Sequence, residues 1–284
     1  MFDLRDDATS DFLETLRRKR PDLLTQFDRG ILPTQTSQVT PPSNLSGRNP
    51  TNLTVDGLLE GTTVLTAVYK DGLVIAGDRQ AVEGFQVGER RIEKIFEIDE
   101  YSAVAIAGVA ATGIEMARLF QVQVQYYEKM EGTMLSLEGK ANYLANMVRQ
   151  NLGMALQGLV VVPIFAGYDQ KQKQGRIFKY DPIGGRYEEE DYYAIGSGGK
   201  DARSTLKKRY RPGMSLDEIL NITVEALWDA ADEDLGTGGP DFIREIFPNI
   251  KVIDQSGISN VPDSDVQTLF TELAERLSSS NPGR

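Results

Sequence analysis

The chain has 284 residues and a formal net charge of -11, with 40% hydrophobic and 26% charged residues and neither histidine nor cysteine. That is the composition of a soluble globular protein, and its acidity argues against nucleic acid or an anionic membrane as the main partner. The missing histidine and cysteine set aside Ser-His-Asp and Cys-His catalysis, disulfides, zinc and haem. No cofactor is expected, and composition leaves open only a carboxylate-bound Mg²⁺ or Ca²⁺.

No apolar run approaches the roughly 20 residues that span a bilayer. Met1-Phe2-Asp3-Leu4-Arg5-Asp6-Asp7 is too acidic and polar for a secretory signal. A reducing cytoplasm is therefore the expected compartment. The Asn-X-Ser/Thr triplets at Asn44, Asn52 and Asn221 read as chance matches.

Residues 1 to about 61 differ in kind from the rest. Asp11 to Arg20 has the makings of a short helix, capped by Thr9, Ser10 or Asp11 and stopped by Pro21. Gly30 to Asn52 is rich in Pro, Thr, Ser, Asn and Gln, a composition for a linker or strap rather than a core.

From Thr62 the signals become regular. Thr62–Lys70 and Leu73–Gly77 read as strands joined by the hairpin turn Asp71-Gly72. Lys94–Ile98 and Ser102–Ala107 form a second pair across Asp99-Glu100-Tyr101. Val109 to Glu131 has helical spacing, with Ile114, Ala117, Leu119, Phe120 and Val124 apolar. Leu135 to Gln157 reads as one long helix, its stripe made by Leu144, Met147, Val148, Leu152 and Ala155. Gly158–Tyr168, Arg176–Tyr180 and Tyr187–Ile195 are expected strands, the last two separated by the turn Pro182-Ile183-Gly184-Gly185. Lys200–Tyr210, Ser215–Ala231 and Ser264–Leu277 read as helices, and Ile250–Asp254 as a late strand. No internal repeat is visible. Hairpin-linked strands imply antiparallel sheets and paired helices imply covering layers. The expected fold is α+β, a four-layer α-β-β-α sandwich. A doubly wound alternative lacks single strand–helix alternation and its glycine fingerprint.

With imidazole and thiol absent, a hydroxyl nucleophile must be activated by a lysine, a carboxylate or an α-amine. Gly61-Thr62-Thr63 draws attention because a free Thr62 amine would put nucleophile and base on one residue. Taken alone, Thr62 also reads simply as a strand's first residue after a flexible glycine, and the other local features are individually weak too. Asp78 at a strand end is an ordinary turn former. Lys94 has the spacing of a solvated lysine, yet alternation sets it between Ile92 and Phe96 on one face, where it needs an anionic partner. Ile106-Ala107-Gly108-Val109-Ala110-Ala111 turns strand into helix and suits either tight packing or an oxyanion site. Gly196-Ser197-Gly198-Gly199 reads as a turn with a helix-capping serine, not a phosphate cradle. Asp229 to Gly239 reads as a solvated acidic helix end, without EF-hand spacing.

Their joint order is specific. Gly61-Thr62-Thr63, then Gly77-Asp78-Arg79, Lys94, Ile106-Ala107-Gly108, Gly196-Ser197-Gly198 and Asp234 with Thr237-Gly238-Gly239 resemble proteasome β-subunits of the bacterial, actinobacterial type. These are N-terminal-nucleophile hydrolases, and the likeness runs from Gly61 to about Asp254. It implies a propeptide over residues 1–61, removed by autolysis at the Gly61-Thr62 bond, and a catalytic domain over residues 62–284 with a short C-terminal tail. It implies Thr62 as nucleophile and α-amine base, Asp78 and Lys94 as the charged pair beside it, and Gly108 as the oxyanion N–H. Ser197, Asp234 and Thr237 would cluster around the Thr62 amine; Thr237 stands where the family often has serine. Gln80 stands where many relatives carry a second arginine and is given no role. Whether amine or lysine takes the proton is left open.

The resemblance further implies a substrate pocket of Ala81, Ile92, Ile106 and Ala110 with Lys94 at its base. An apolar lining favours cleavage after hydrophobic residues. It implies partners too: proteasome α-subunits, other β-subunits in stacked heptameric rings, an AAA+ ATPase ring acting through the α-rings, and unfolded protein substrates. An HslV-like protease subunit also begins Thr-Thr, but its chains are shorter and lack a long propeptide. A non-catalytic ring subunit conflicts with the complete set of Thr62, Asp78, Lys94 and Gly108. A metabolic amidase of the same superfamily has no specific support in these residues.

Overall fold

A computed structural model describes residues 61–83 and 86–280. The expected helix over Asp11–Arg20 and the linker over Gly30–Asn52 lie outside the described residues. Two five-stranded sheets stack between helices. In chain order the elements are β1 (Thr63–Tyr69), β2 (Gly72–Gly77), β3 (Ala81–Glu83), β4 (Gln86–Glu89), β5 (Ile95–Asp99) and β6 (Ser102–Gly108). Helices α1 (Ala110–Glu131), α2 (Leu137–Gln150) and α3 (Leu152–Ala155) follow, then β7 (Val161–Asp169), β8 (Gln174–Tyr180), β9 (Arg186–Glu189) and β10 (Tyr192–Gly196). The chain continues through α4 (Gly199–Arg209), α5 (Leu216–Glu233), β11 (Asn249–Asp254), β12 (Gly257–Asn260) and α6 (Asp263–Ser280).

One sheet has the order β10-β1-β2-β11-β12 and the other β5-β6-β7-β8-β9, with antiparallel neighbours throughout. The central strands read as unbroken apolar runs because both of their faces are covered. On β1, Val64 points between the sheets while Leu65 and Ala67 face α4, α5 and α6. On β6, Ala103, Ala105 and Ala107 fill the intersheet layer, and Val104 and Ile106 pack against α1 and α2. The small residues on that inner face let the sheets approach. Behind them Phe120, Phe165 and Phe178 are fully buried, with Phe120 edge-on to Phe165 at 5.6 Å. The four expected layers are all present.

Several boundaries differ from expectation. The run Tyr187–Ile195 is two strands in different sheets: β9 pairs with β8, and β10 with β1. The change of sheet falls at Glu190-Asp191, where two consecutive carboxylates occupy the crossing. The helix expected over Leu135–Gln157 is interrupted at Asn151, whose φ of -81° and ψ of 0° leave the helical region. Leu152 and Ala155 are therefore half-buried rather than part of the core stripe. Leu119 is exposed, and Gly113 and Met116 take the inward face of α1 instead. Short strands β3, β4 and β12 were not expected. Among the described residues, no helix is long and apolar enough to cross a membrane.

Candidate active site

Both sheets and the loops at their shared end deliver the expected residues to one place. β1 opens immediately after Thr62, which is 4% exposed, and β2 runs antiparallel to it, so that Asp78 emerges beside the same end. The Asp78 N–H donates to the Thr63 carbonyl at 3.0 Å, and the Thr63 N–H donates back to Asp78 Oδ1 at 2.8 Å. Asp78 Oδ2 accepts from the N–H groups of Gln80 and Gly238, each at 3.0 Å. The carboxylate is thus fully enclosed, and the donors around it replace the water it has lost.

Lys94 precedes β5 and is 6% exposed. Its ammonium donates to Asp78 Oδ1 at 2.7 Å, to the Gln80 carbonyl at 2.6 Å and to the Gly61 carbonyl at 3.3 Å. A cation so buried persists because an anion and carbonyl dipoles surround it. Its position against Gly61 sets positive charge on the carbonyl of the bond that joins Gly61 to Thr62.

A second group reaches Thr62 from the other side. Helix α5, opened by a reciprocal capping box between Ser215 and Glu218, ends with Asp234 as its C-cap. Asp234 Oδ2 accepts from Ser197 Oγ at 2.5 Å and from Thr237 Oγ1 at 2.6 Å. Ser197 Oγ in turn accepts the Thr62 N–H at 3.2 Å. The cap of α4 is Gly198, so Ser197 is not the capping serine that the sequence suggested. The acidic end of α5 divides: Asp232 and Glu233 are exposed as the solvated reading expected, whereas Asp229 accepts from Thr205 and Asp234 from the groups just named.

Gly108 ends β6 with φ of +111°, and a β-carbon there would lie 2.1 Å from the Val160 carbonyl oxygen, so no side chain fits. It lines one cleft together with Thr62, Ala81, Ile92, Lys94, Ile106 and Ala110. All four expected pocket residues line this cleft; Ile92, Lys94 and Phe96 lie along it together, but not by strand alternation, because β5 begins only at Ile95 and Glu93 lines the cleft as well. Glu93, Phe96 and Ile114 also line it and were not anticipated as pocket residues.

Two contributors were missed. Gln80 acts through its backbone, donating to Asp78 and accepting from Lys94, which no side-chain motif reveals. Thr63 is fully buried and joins Asp78 to Thr237; its only sequence signal was a second hydroxyl next to Thr62.

Stacked antiparallel sheets between helical layers, with a buried threonine and a lysine–carboxylate pair at the end of the central strands, define the class: a hydrolase sandwich of the N-terminal-nucleophile type. The family model described as proteasome subunit matches residues 59–243. A proteasome subunit beta from Acidimicrobium ferrooxidans is 54% identical over 217 residues, covering 76% of this chain and 80% of that protein. Proteins of the same name from Jonesia denitrificans and Streptomyces griseus are 48% identical over 239 residues and 49% identical over 216. These alignments cover 84% and 76% of this chain, and 79% and 77% of the relatives. The chain belongs to the proteasome subunit family.

Proposed function

We propose that the chain is a catalytic β-subunit of the 20S proteasome core particle, a threonine-type endopeptidase that frees its own nucleophile by cutting the Gly61-Thr62 bond. The observation that carries this reading is the Lys94 ammonium held between Asp78 Oδ1 at 2.7 Å and the Gly61 carbonyl at 3.3 Å. In the uncut chain the Thr62 nitrogen is an amide and has no basicity. Thr62 Oγ attacks the Gly61 carbon, the C–N bond breaks as an ester forms, and the nitrogen leaves as an amine. Water then hydrolyses the ester, returning the hydroxyl and releasing residues 1–61 with a Gly61 carboxylate.

The freed α-amine, with an ordinary pKa of about 7.7–8.0, suits a base at neutral pH. Lys94 lowers the cost of negative charge on Thr62 Oγ, and Asp78 fixes Lys94 in place. The N–H of Gly108 receives the oxyanion of the tetrahedral intermediate. Ser197, Asp234 and Thr237 orient the amine. The apolar cleft beside Thr62 takes the residue preceding the scissile bond and favours hydrophobic side chains. In the assembly the subunit packs with other β-subunits in stacked heptameric rings between α-rings, which an AAA+ ATPase ring supplies with unfolded chains. No specific observation favours an HslV-like or non-catalytic subunit.

Mixing the chain with an α-subunit partner and weighing the product by mass spectrometry tests the reading. A new N-terminus at Thr62 is expected, labelled there by a β-lactone. Efficient cleavage at Gly61 in a Thr62→Ala variant would falsify self-processing.

A further inference from the structure

We propose that Thr63 is a positioning residue that fixes the proton direction in the hydrogen-bond chain orienting the Thr62 amine; this rests on the reading of Thr62 as nucleophile. Thr63 is completely buried at the first position of β1. Its Oγ1 lies 2.7 Å from Thr237 Oγ1. Thr237 Oγ1 spends its single proton on Asp234 Oδ2 at 2.6 Å, since an ionised carboxylate only accepts. Thr63 is therefore the donor of the pair.

The same logic orders the other arm. Ser197 Oγ has one proton and two acceptors within reach, Asp234 Oδ2 at 2.5 Å and the Thr62 carbonyl at 3.3 Å. The short charge-assisted bond takes it. Ser197 then meets the Thr62 nitrogen, 3.2 Å away, as an acceptor. Once the amine is free, one N–H points at Ser197 and the lone pair is left for Thr62's own hydroxyl. Protons run from Thr63 through Thr237 to Asp234, and from the Thr62 nitrogen through Ser197 to the same oxygen. Thr63 supplies the outer end that holds Thr237 in its donating rotamer.

Two more contacts single out this residue. Its N–H donates to Asp78 Oδ1, so Thr63 ties the lysine-bearing half of the site to the Asp234 half. Gly198, the cap of α4, lies directly against the hydroxyl pair: a β-carbon there would lie 2.5 Å from Thr63 Oγ1 and 2.8 Å from Thr237 Oγ1. The helix start is built around these two oxygens, with no room for a side chain.

The test compares Thr63→Val and Thr63→Ser in the processed, assembled particle. Thr63→Val keeps the shape and loses the donor. It should lower kcat about tenfold with KM nearly unchanged, as removal of a group acting on the transition state does. It should also move the acid limb of the kcat/KM–pH profile by about half a unit or more, because that limb reports the essential base of the free enzyme. Thr63→Ser should restore both. Gly198→Ala, which separates the oxygens without deleting either, should move the same limb and serves if the valine variant fails to assemble. An unmoved acid limb in these variants, or a serine variant as impaired as valine, overturns the proposal. β-Lactone labelling separates this failure from a deeper one. A wild-type particle unlabelled at Thr62 defeats the nucleophile assignment itself, whereas normal labelling with an unshifted profile defeats only the role of Thr63.

Discussion

Lys94 Nζ and the Gly61 carbonyl oxygen stand 3.3 Å apart across the bond joining Gly61 to Thr62. The same ammonium is saturated by Asp78 and the Gln80 carbonyl. Three acceptors converge on a compact donor, a geometry a planar guanidinium does not reproduce. Both Lys94→Met and Lys94→Arg are therefore expected to leave the full-length chain unprocessed. Their peptidase activity should fall by about two to three orders of magnitude, as when a charge-stabilising group is removed. Gel analysis of the assembled particles checks this, and ordinary processing in Lys94→Arg would contradict it.

Gly61 offers a test that separates maturation from turnover. A β-carbon at Gly61 would lie 2.0 Å from the Gly236 α-carbon, a backbone atom that cannot swing aside. Gly61→Ala should slow self-cleavage severely by displacing the carbonyl under attack. If cleavage falls at the proposed Gly61-Thr62 bond, residue 61 is lost on maturation, and whatever fraction matures should have wild-type kcat per labelled threonine. A lowered kcat per labelled site would show that the substitution acts elsewhere.

The cleft beside Thr62 predicts the order of substrates. Ile92, Ile106, Phe96 and Ile114 supply its apolar wall. In a fluorogenic peptide panel, large apolar residues before the cleaved bond should be preferred over acidic or basic ones by about tenfold or more. Preference for an acidic residue would mean that Lys94, not the wall, dominates recognition.

Acid should weaken the β8–β9 edge. The Arg176 guanidinium donates to both oxygens of Glu188, at 2.6 and 2.8 Å, and this holds the Glu188 carboxyl below its ordinary range. A carboxyl depressed in the folded state stabilises fully above its unfolded pKa, about 4.3 for Glu, and loses that contribution as pH falls through the lower folded value. Urea midpoints measured downward from about pH 5 should thus fall more steeply for wild type than for Glu188→Gln, given that reference. Parallel curves would remove Glu188 from the acid response.

Phe165 sits at the centre of the layer between the second sheet and α1 and α2. Truncating it to alanine should cost about 3–5 kcal/mol in urea unfolding, the usual range for a buried aromatic. A loss below about 1 kcal/mol would mean the layer repacks around the hole.

What could be read in advance followed from local chemistry. The Asp71-Gly72 turn and the apolar runs around it announced β1 and β2, since a tight turn between β-branched segments has few other outcomes. The set of Thr62, Asp78, Lys94 and Ser197 was legible only through its joint order and the family resemblance that order carries, each position being weak by itself. The division of Tyr187–Ile195 between two sheets was not readable, because the strand propensity on either side of Glu190-Asp191 is alike and the partners, β8 and β1, are distant in sequence. Ser197 was misread as a cap because capping depends on the neighbouring backbone, and the competing acceptor, Asp234, is 37 residues away. Gln80 contributes main-chain atoms, which every residue possesses and no pattern marks.

Chain ends ordinarily fray, yet the terminus that the proposed cut before Thr62 would make has little freedom to do so. Thr63 is already in register with Gly196 on one flank and Val64 with Gly77 on the other. An end made there would adjoin the stiffness of a strand paired on both sides, so its hydroxyl would need no search to find its working position.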